Sequence, residues 1–233
     1  MATTFDLADG GGSSNGDLSN GDLSNGFVNQ NDELLFSRIS DDLSKHGYSA
    51  IVNALPLALA EQLYQHISVI SDDSFKPSSI GRDNGHSNNV TIRSQRQSWI
   101  SNNSLASSAW LKWASELQRY LNQHLYLGLS SFESHYAHYR PGDFYKRHLD
   151  SFEGRSNRRL SIVIYLNKDW LSRDGGELIL YASSEDLTGL LIIPSFATVV
   201  VFLSEEHPHE VLPALRDRYS IAGWYSPTLP TSV

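Results

Sequence analysis

Two side chains in the run Tyr139-Arg-Pro-Gly-Asp-Phe-Tyr-Lys-Arg-His148-Leu-Asp150 have the types and spacing of metal ligands. Read as extended chain, the run puts His148 and Asp150 on one face, because alternate side chains of a strand share a side. A third donor must come from elsewhere. The segment Glu206-His-Pro-His-Glu-Val211 offers His209 as the natural candidate, with His207 as its competitor. Two imidazoles and one carboxylate on one side of an iron leave three positions open, the arrangement of non-haem Fe(II) oxygenases. Arg218 follows soon after, and a guanidinium can grip a carboxylate through two parallel hydrogen bonds. On a strand it shares its face with Ser220, Ala222 and Trp224, where the small Ala222 leaves volume for a ligand. The plainer role for an Arg here is a salt bridge, which suits Arg216 better.

These residues need a scaffold, and the chain supplies helices first and strands later. Residues 9–31, within a tail read over 1–31, are rich in Gly, Ser, Asn and Asp and repeat Gly16-Asp-Leu-Ser-Asn20 as Gly21-Asp-Leu-Ser-Asn25. Such a composition buries too little apolar surface to offset ordering, so a flexible tail is expected. From Asp32 to His46, Leu35, Ile39 and Leu43 recur at helical spacing and Gly47 ends the helix. A short strand is read over 48–53. Pro56 suits a first helical position, and Leu59, Leu63, Ile67 and Ile70 line one face of a second helix. The polar stretch 71–90 reads as a long loop and a candidate substrate lid. Residues 90–100, with Arg93, Arg96 and Trp99, read as a strand or hairpin arm. A third helix runs from an Asn103 or Ser104 cap to His124, with Leu105, Trp110, Trp113, Leu117 and Leu121 inward.

From Phe132 the period changes to that of strands, read at 132–139, 159–166, 177–181, 189–193, 197–203 and 218–225. Many short strands after a helical block predict a mainly β fold: a double-stranded β-helix, or jelly-roll (cupin-like) barrel, packed against N-terminal helices. One domain is expected over 32–233, with a helical buttress at 32–125 and the barrel core at 132–225. The chain has no Cys, which excludes disulfides, zinc–thiolate sites and a Cys nucleophile. No run approaches about 18 consecutive apolar residues, and no signal region is evident, so a cytoplasmic protein without membrane attachment is expected. The net charge of −8 is concentrated early: residues 1–36 carry Asp6, Asp9, Asp17, Asp22, Asp32 and Glu33 and no Lys or Arg. The near-neutral remainder gives no electrostatic footprint for nucleic acid.

Residues 132–225 resemble the catalytic core of the 2-oxoglutarate- and Fe(II)-dependent prolyl hydroxylases, of the hypoxia-inducible-factor type and its bacterial relatives. The resemblance rests on Tyr139…Pro141-Gly142…Tyr145-Lys-Arg-His148-Leu-Asp150, Ile164-Tyr-Leu-Asn-Lys-Asp-Trp170, Gly175-Gly176, Pro208-His-Glu-Val211 and Arg218-Tyr-Ser-Ile-Ala-Gly-Trp-Tyr225. It implies His148, Asp150 and His209 as metal ligands, and favours His209 over His207. It assigns Arg218 and Tyr165 to the distal carboxylate of 2-oxoglutarate and Tyr139 to its iron-chelating end. Ser161 stands where the family has Thr and keeps a hydroxyl, while Leu178 and Trp224 become apolar walls. His135 and His138 are read as structural or supporting.

The resemblance further implies Fe(II), 2-oxoglutarate and O2, with ascorbate as a reductant and no catalytic side chain beyond the metal centre. Its implied partner is a protein with a prolyl residue, in bacterial relatives a translation factor of the elongation factor Tu kind. Asp150 favours hydroxylation over halogenation, which needs that coordination position for chloride. Arg93, Arg158 and Trp99 are candidate substrate contacts, although the cluster Arg155, Arg158 and Arg159 also suits a solvated face. The chain departs from the family in having Arg93-Ser94-Gln95 where Arg-Gly-Asp is common, which removes a carboxylate that would pair with Arg158. Two alternatives remain open: hydroxylation of a free amino acid or small metabolite, and a sensor that binds metal or 2-oxoglutarate without turnover.

Overall fold

The computed structural model describes residues 30–77, 92–151 and 158–227. In chain order these form α1 (Gln30–His46), β1 (Tyr48–Ile51), α2 (Leu57–Val69), β2 (Lys76–Pro77), β3 (Arg96–Trp99), α3 (Leu105–Leu125) and β4 (Leu129–Tyr139). There follow β5 (Tyr145–His148), β6 (Leu160–Tyr165), β7 (Leu178–Leu180), β8 (Leu190–Ile192), β9 (Val199–Leu203), β10 (His209–Val211) and β11 (Arg218–Pro227). Two antiparallel sheets face each other as a jelly roll. One has the order β1-β9-β6-β11-β4-β3-β2 and the other β5-β10-β7-β8.

Alternation along the central strands divides the interior in two. On β6, Leu160, Ile162 and Ile164 face the helices, whereas Val163 and Tyr165 face the second sheet. On β9, Val199 and Val201 point to the helices and Val200 and Phe202 point inward. The helix side is a large apolar core in which Phe36, Ile39, Leu63, Trp110, Leu117 and Leu121 are fully buried. Each such side chain contributes about 1.5–3 kcal/mol relative to exposure. This core holds the large sheet rigid, so that the opposite face can carry polar groups in fixed positions. Trp113 Nε1 donates to Asp32 at 3.1 Å and ties α1 to α3. Ser104 caps α3 by accepting from the N–H of Ser107 at 3.0 Å.

Several sequence expectations are corrected here. Leu105, expected to pack inward, is 85% exposed, because it occupies the first residue of α3 before the apolar stripe begins. Pro56 is the cap of α2, not its first helical residue, and Ile70 lies just past its C-terminus. The strand after Gly47 stops at Ile51, where the chain turns through Asn53 at φ 51°. In the expected loop 71–90, residues 72–74 form a 3₁₀ turn and β2 follows, while 78–90 lie outside the described residues. The expected tail over 1–31 also falls outside them, apart from its last two residues at the start of α1.

Candidate metal and diacid site

The small sheet supplies the imidazoles. β5 and β10 run antiparallel with His148 directly opposite His209. Directly opposed side chains in such a pair share a face and stand about 5 Å apart at Cβ. The two rings accordingly have centroids 4.2 Å apart. Asp150 does not lie on the strand as alternation suggested: β5 ends at His148, and Asp150 reaches the same point from the bend that follows. One donor atom from each of His148, Asp150 and His209 falls within 4.8 Å of the others. His148 Nε2 is 3.6 Å from Asp150 Oδ1, and His209 Nε2 is 3.6 Å from Asp150 Oδ2.

Backbone carbonyls fix which nitrogen faces the centre. His148 Nδ1 donates to the carbonyl of Lys146 at 2.8 Å, and His209 Nδ1 donates to that of His207 at 3.2 Å. A carbonyl only accepts, so the proton sits on Nδ1 and the Nε2 lone pair points at the centre. His148 Nε2 is buried with no hydrogen-bond partner, as suits an atom that awaits a cation. Burial, reinforced by the neighbouring His148 and opposed by Asp150, lowers the pKa of His209 to about 4, so it is a neutral donor at pH 7. Burial pushes the Asp150 carboxyl up, but His209, His148 and the Ser161 hydroxyl outweigh it and hold it well below the usual carboxylate range. Ser161 Oγ donates to Asp150 Oδ2 at 2.7 Å and lies 2.9 Å from Ser204 Oγ. His207 is turned away: its Nδ1 donates to the carbonyl of Tyr181 at 3.0 Å and its ring packs edge-on against Tyr48.

Across the barrel, Arg218 opens β11 opposite Tyr139 of β4, and its neighbour in register, Ser220, pairs with Tyr165 of β6. The guanidinium is 1% exposed and lies over the rings of Tyr139 and Tyr165, at 4.7 and 5.0 Å. Its Nε donates to the carbonyl of Gly176 at 2.8 Å and Nη1 reaches Ser220 Oγ at 3.4 Å. Among the described residues no carboxylate pairs with it. A fixed buried charge facing only neutral groups is costly unless an anion joins it. Burial raises the Tyr165 hydroxyl to about 12 and the Tyr139 hydroxyl further, so both stay protonated donors despite the nearby cation. The donor set therefore fits a diacid. Leu178, Leu180, Val200, Phe202 and Val211 wall the space, and Phe202 packs edge-on against His209.

At the mouth, His135 lies between Trp99 and Trp224, with ring centroids 5.2 and 5.3 Å away. Arg158 covers the outer face of Trp224 at 3.6 Å and pairs with Glu133 of β4 at 2.9 Å. With Gln95 in place of an acid, the carboxylate that pairs with Arg158 comes from β4 instead. Trp99 is 53% exposed. Arg93 bridges in backbone to Tyr145 and its Nη1 lies 3.4 Å from the Tyr145 hydroxyl. Arg155 lies outside the described residues.

Tyr145 stood in the sequence only as part of a motif, without a role, and Ser204 was not singled out. Ser204 follows the apolar β9 strand, and nothing in its type distinguishes it. Tyr145 stacks on His148 with centroids 3.5 Å apart, although residues three apart in a regular strand face opposite sides. The pairing explains this: Val211 is opposite Tyr145 while His209 is opposite His148, so β5 carries one extra residue, a bulge that turns both rings inward.

The environment of His135 predicts a pH effect. Burial, with Arg158 and Arg93 adding to it, lowers its pKa to about 3 from an ordinary 6.5. The unfolded chain therefore takes up a proton between pH 6.5 and 3 that the folded chain refuses. Stability is full above 6.5 and falls as the pH drops through that window, by at most about 1.4 kcal/mol per pH unit. His135→Phe, which keeps a ring between the two Trp residues, is expected to remove this part of the slope. Urea midpoints at pH 7 and pH 4.5 for both proteins measure it, and equal slopes would contradict the assignment.

Comparison with known proteins gives consistent neighbours. The model of the 2OG-Fe(II) oxygenase superfamily matches residues 134–226. A prolyl-4-hydroxylase of Pseudomonas putida is 36% identical, with a TM-score of 0.73 over 84% of this chain and 100% of that one. A Trichoplax adhaerens prolyl hydroxylase, solved with a hypoxia-inducible-factor oxygen degradation domain peptide, is 27% identical, with a TM-score of 0.74 over 84% of this chain and 91% of that one. Egl nine homolog 1 of Rattus norvegicus is 35% identical over 85 residues, which are 36% of this chain and 25% of that protein. The hypoxia-inducible factor prolyl hydroxylase of Caenorhabditis elegans is 35% identical over 86 residues, 12% of its length. The match to these two curated relatives thus spans a quarter or less of each.

Proposed function

We propose, since this chain belongs to the 2OG-Fe(II) oxygenase superfamily and within it to the prolyl hydroxylases, that it hydroxylates a prolyl residue of a protein substrate. Succinate and CO2 are the coproducts. His148, Asp150 and His209 hold Fe(II), and Arg218 with Tyr165 takes the distal carboxylate of 2-oxoglutarate while Tyr139 donates nearer its chelating end. Bound there, the metal with 2-oxoglutarate and O2 supplies the oxidising power for a C–H bond, and ascorbate keeps the metal reduced.

The protein's own contribution is orientation and exclusion. Lys146 and His207 present carbonyls that aim both imidazoles. Ser161, itself backed by Ser204, fixes the rotamer of Asp150. Leu178, Phe202 and Val211 keep water from the diacid, which strengthens its pairing with Arg218. Trp224, Trp99, Arg158 and Arg93 border the opening where a prolyl ring and its flanking peptide enter.

The observation that supports this reading is the coincidence, inside one barrel, of three converging donors and a buried guanidinium that no carboxylate among the described residues pairs with. We place residues 32–233 in one catalytic domain acting in the cytoplasm. Among the described residues no helix is long and apolar enough to cross a membrane. A translation factor of the elongation factor Tu kind is the first substrate to test. With Fe(II), ascorbate and 2-oxoglutarate, a prolyl peptide should gain 16 mass units in step with succinate release. Hydroxylation of free amino acids alone would shift the substrate class, and binding without succinate would make the protein a sensor.

A further inference from the structure

The outer face of the small sheet, directly behind the two imidazoles, carries a second connected set of side chains. Arg147 and Glu210 are the sequence neighbours of His148 and His209, and both point away from the barrel interior toward Tyr181, which follows β7. The Arg147 guanidinium lies on the Tyr181 ring at 3.7 Å from its centroid. Its Nη atoms donate to the carbonyls of Asp186, Ser183 and Ser184 at 2.9, 2.7 and 3.1 Å. The Tyr181 hydroxyl donates to Glu210 Oε1 in a short hydrogen bond.

The Tyr181 backbone serves the same two strands. Its N–H donates to the carbonyl of Pro208 at 2.8 Å, and its own carbonyl accepts from His207 Nδ1 at 3.0 Å. The His207 carbonyl is the acceptor that aims His209, and Lys146, whose carbonyl aims His148, adjoins Arg147. Gly189 packs close to the Tyr181 ring; a Cβ there would stand 3.0 Å from the ring and 2.4 Å from Ile179 Cγ2.

We propose that Tyr181 is a positioning residue for both imidazole ligands, its ring and backbone setting the spacing of β5 and β10 from behind the metal centre. The proposal rests on the Fe(II) reading of His148, Asp150 and His209. Groups that orient metal-bound imidazoles typically govern affinity by about 10–100-fold when removed. Tyr181→Ala removes the platform under Arg147 and the tie to Glu210, and is expected to weaken Co(II) or Fe(II) binding by about 10-fold and to shift the visible ligand-field bands of bound Co(II). Tyr181→Phe keeps the platform and is expected to stay within about 3-fold of the parent chain. Arg147→Met, which leaves Tyr181 in place, should change the same bands and keeps the idea testable if Tyr181→Ala does not fold.

Anaerobic Co(II) titrations followed by absorbance give both readouts, with thermal midpoints measured alongside. A lower midpoint with unchanged bands and affinity in these variants would make the clasp purely structural and overturn the proposal. Failure of the parent chain to bind one equivalent of Co(II) would instead overturn the metal-site reading itself.

Discussion

His148→Ala is expected to cost the protein its tight Fe(II) binding while leaving it folded. The side chain gives one of three donors, and its Nε2 has no hydrogen-bond partner without a metal. Losing a direct ligand should exceed the about 10–100-fold attached to groups that merely orient ligands. The cost to the fold is confined to the stack with Tyr145 and a local carbonyl contact. A destabilisation of about 1 kcal/mol would lower the thermal midpoint by only about 2–4 °C in a chain of this size. Anaerobic titration with Fe(II) or Mn(II), alongside circular dichroism, measures both parts. A folded variant that binds metal as tightly as the parent would remove His148 from the site.

For Arg218 the expected loss falls on the cosubstrate. Arg218→Ala should weaken 2-oxoglutarate by more than about 2 kcal/mol, roughly 30-fold, because a buried carboxylate loses its charge partner. Arg218→Met makes the sharper version. It fills much of the volume of the Arg stem and removes a buried cation for which the described residues offer no carboxylate. The ligand-free protein should therefore keep its thermal midpoint, while the rise produced by excess 2-oxoglutarate shrinks, since that rise follows RT ln(1 + [L]/Kd). Calorimetric titration on the metal-loaded protein, with Mn(II) replacing iron, separates this from metal loss. Equal cosubstrate affinity in the variant would reduce Arg218 to a structural contact with Gly176 and Ser220.

The sequence alone went far with the helices and the large sheet. Ile39, Leu43, Leu63, Trp110, Leu117 and Leu121 are buried as their spacing predicted, because helical periodicity is a local property of the chain and one apolar core absorbs every stripe. The strands over 160–165 and 199–203 were also legible, but their nearly continuous apolar runs did not say which residues face the helices and which the second sheet. The helical residues misjudged, Pro56, Ile70 and Leu105, all sit at element boundaries, where periodicity gives no direction.

Tertiary structure decided what alternation could not. The sequence offered His148, Asp150, His209 and Arg218 as a set by type and order, but their convergence depends on the antiparallel register that sets His148 opposite His209. The bulge in β5 that brings Tyr145 onto His148 depends on that same pairing. The resemblance already favoured His209 over His207, and the structure adds the reason: the carbonyl of Tyr181, just past β7, holds the His207 ring turned away. Glu133 became the partner of Arg158 because β4 lies beside β11 and sets Glu133 across from Trp224, a contact with no trace in local sequence. Residue types fix which chemistry is available and periodicity fixes which way a side chain points along its own element. Distances between elements come from strand pairing and packing across the whole chain, and the site is made of those distances.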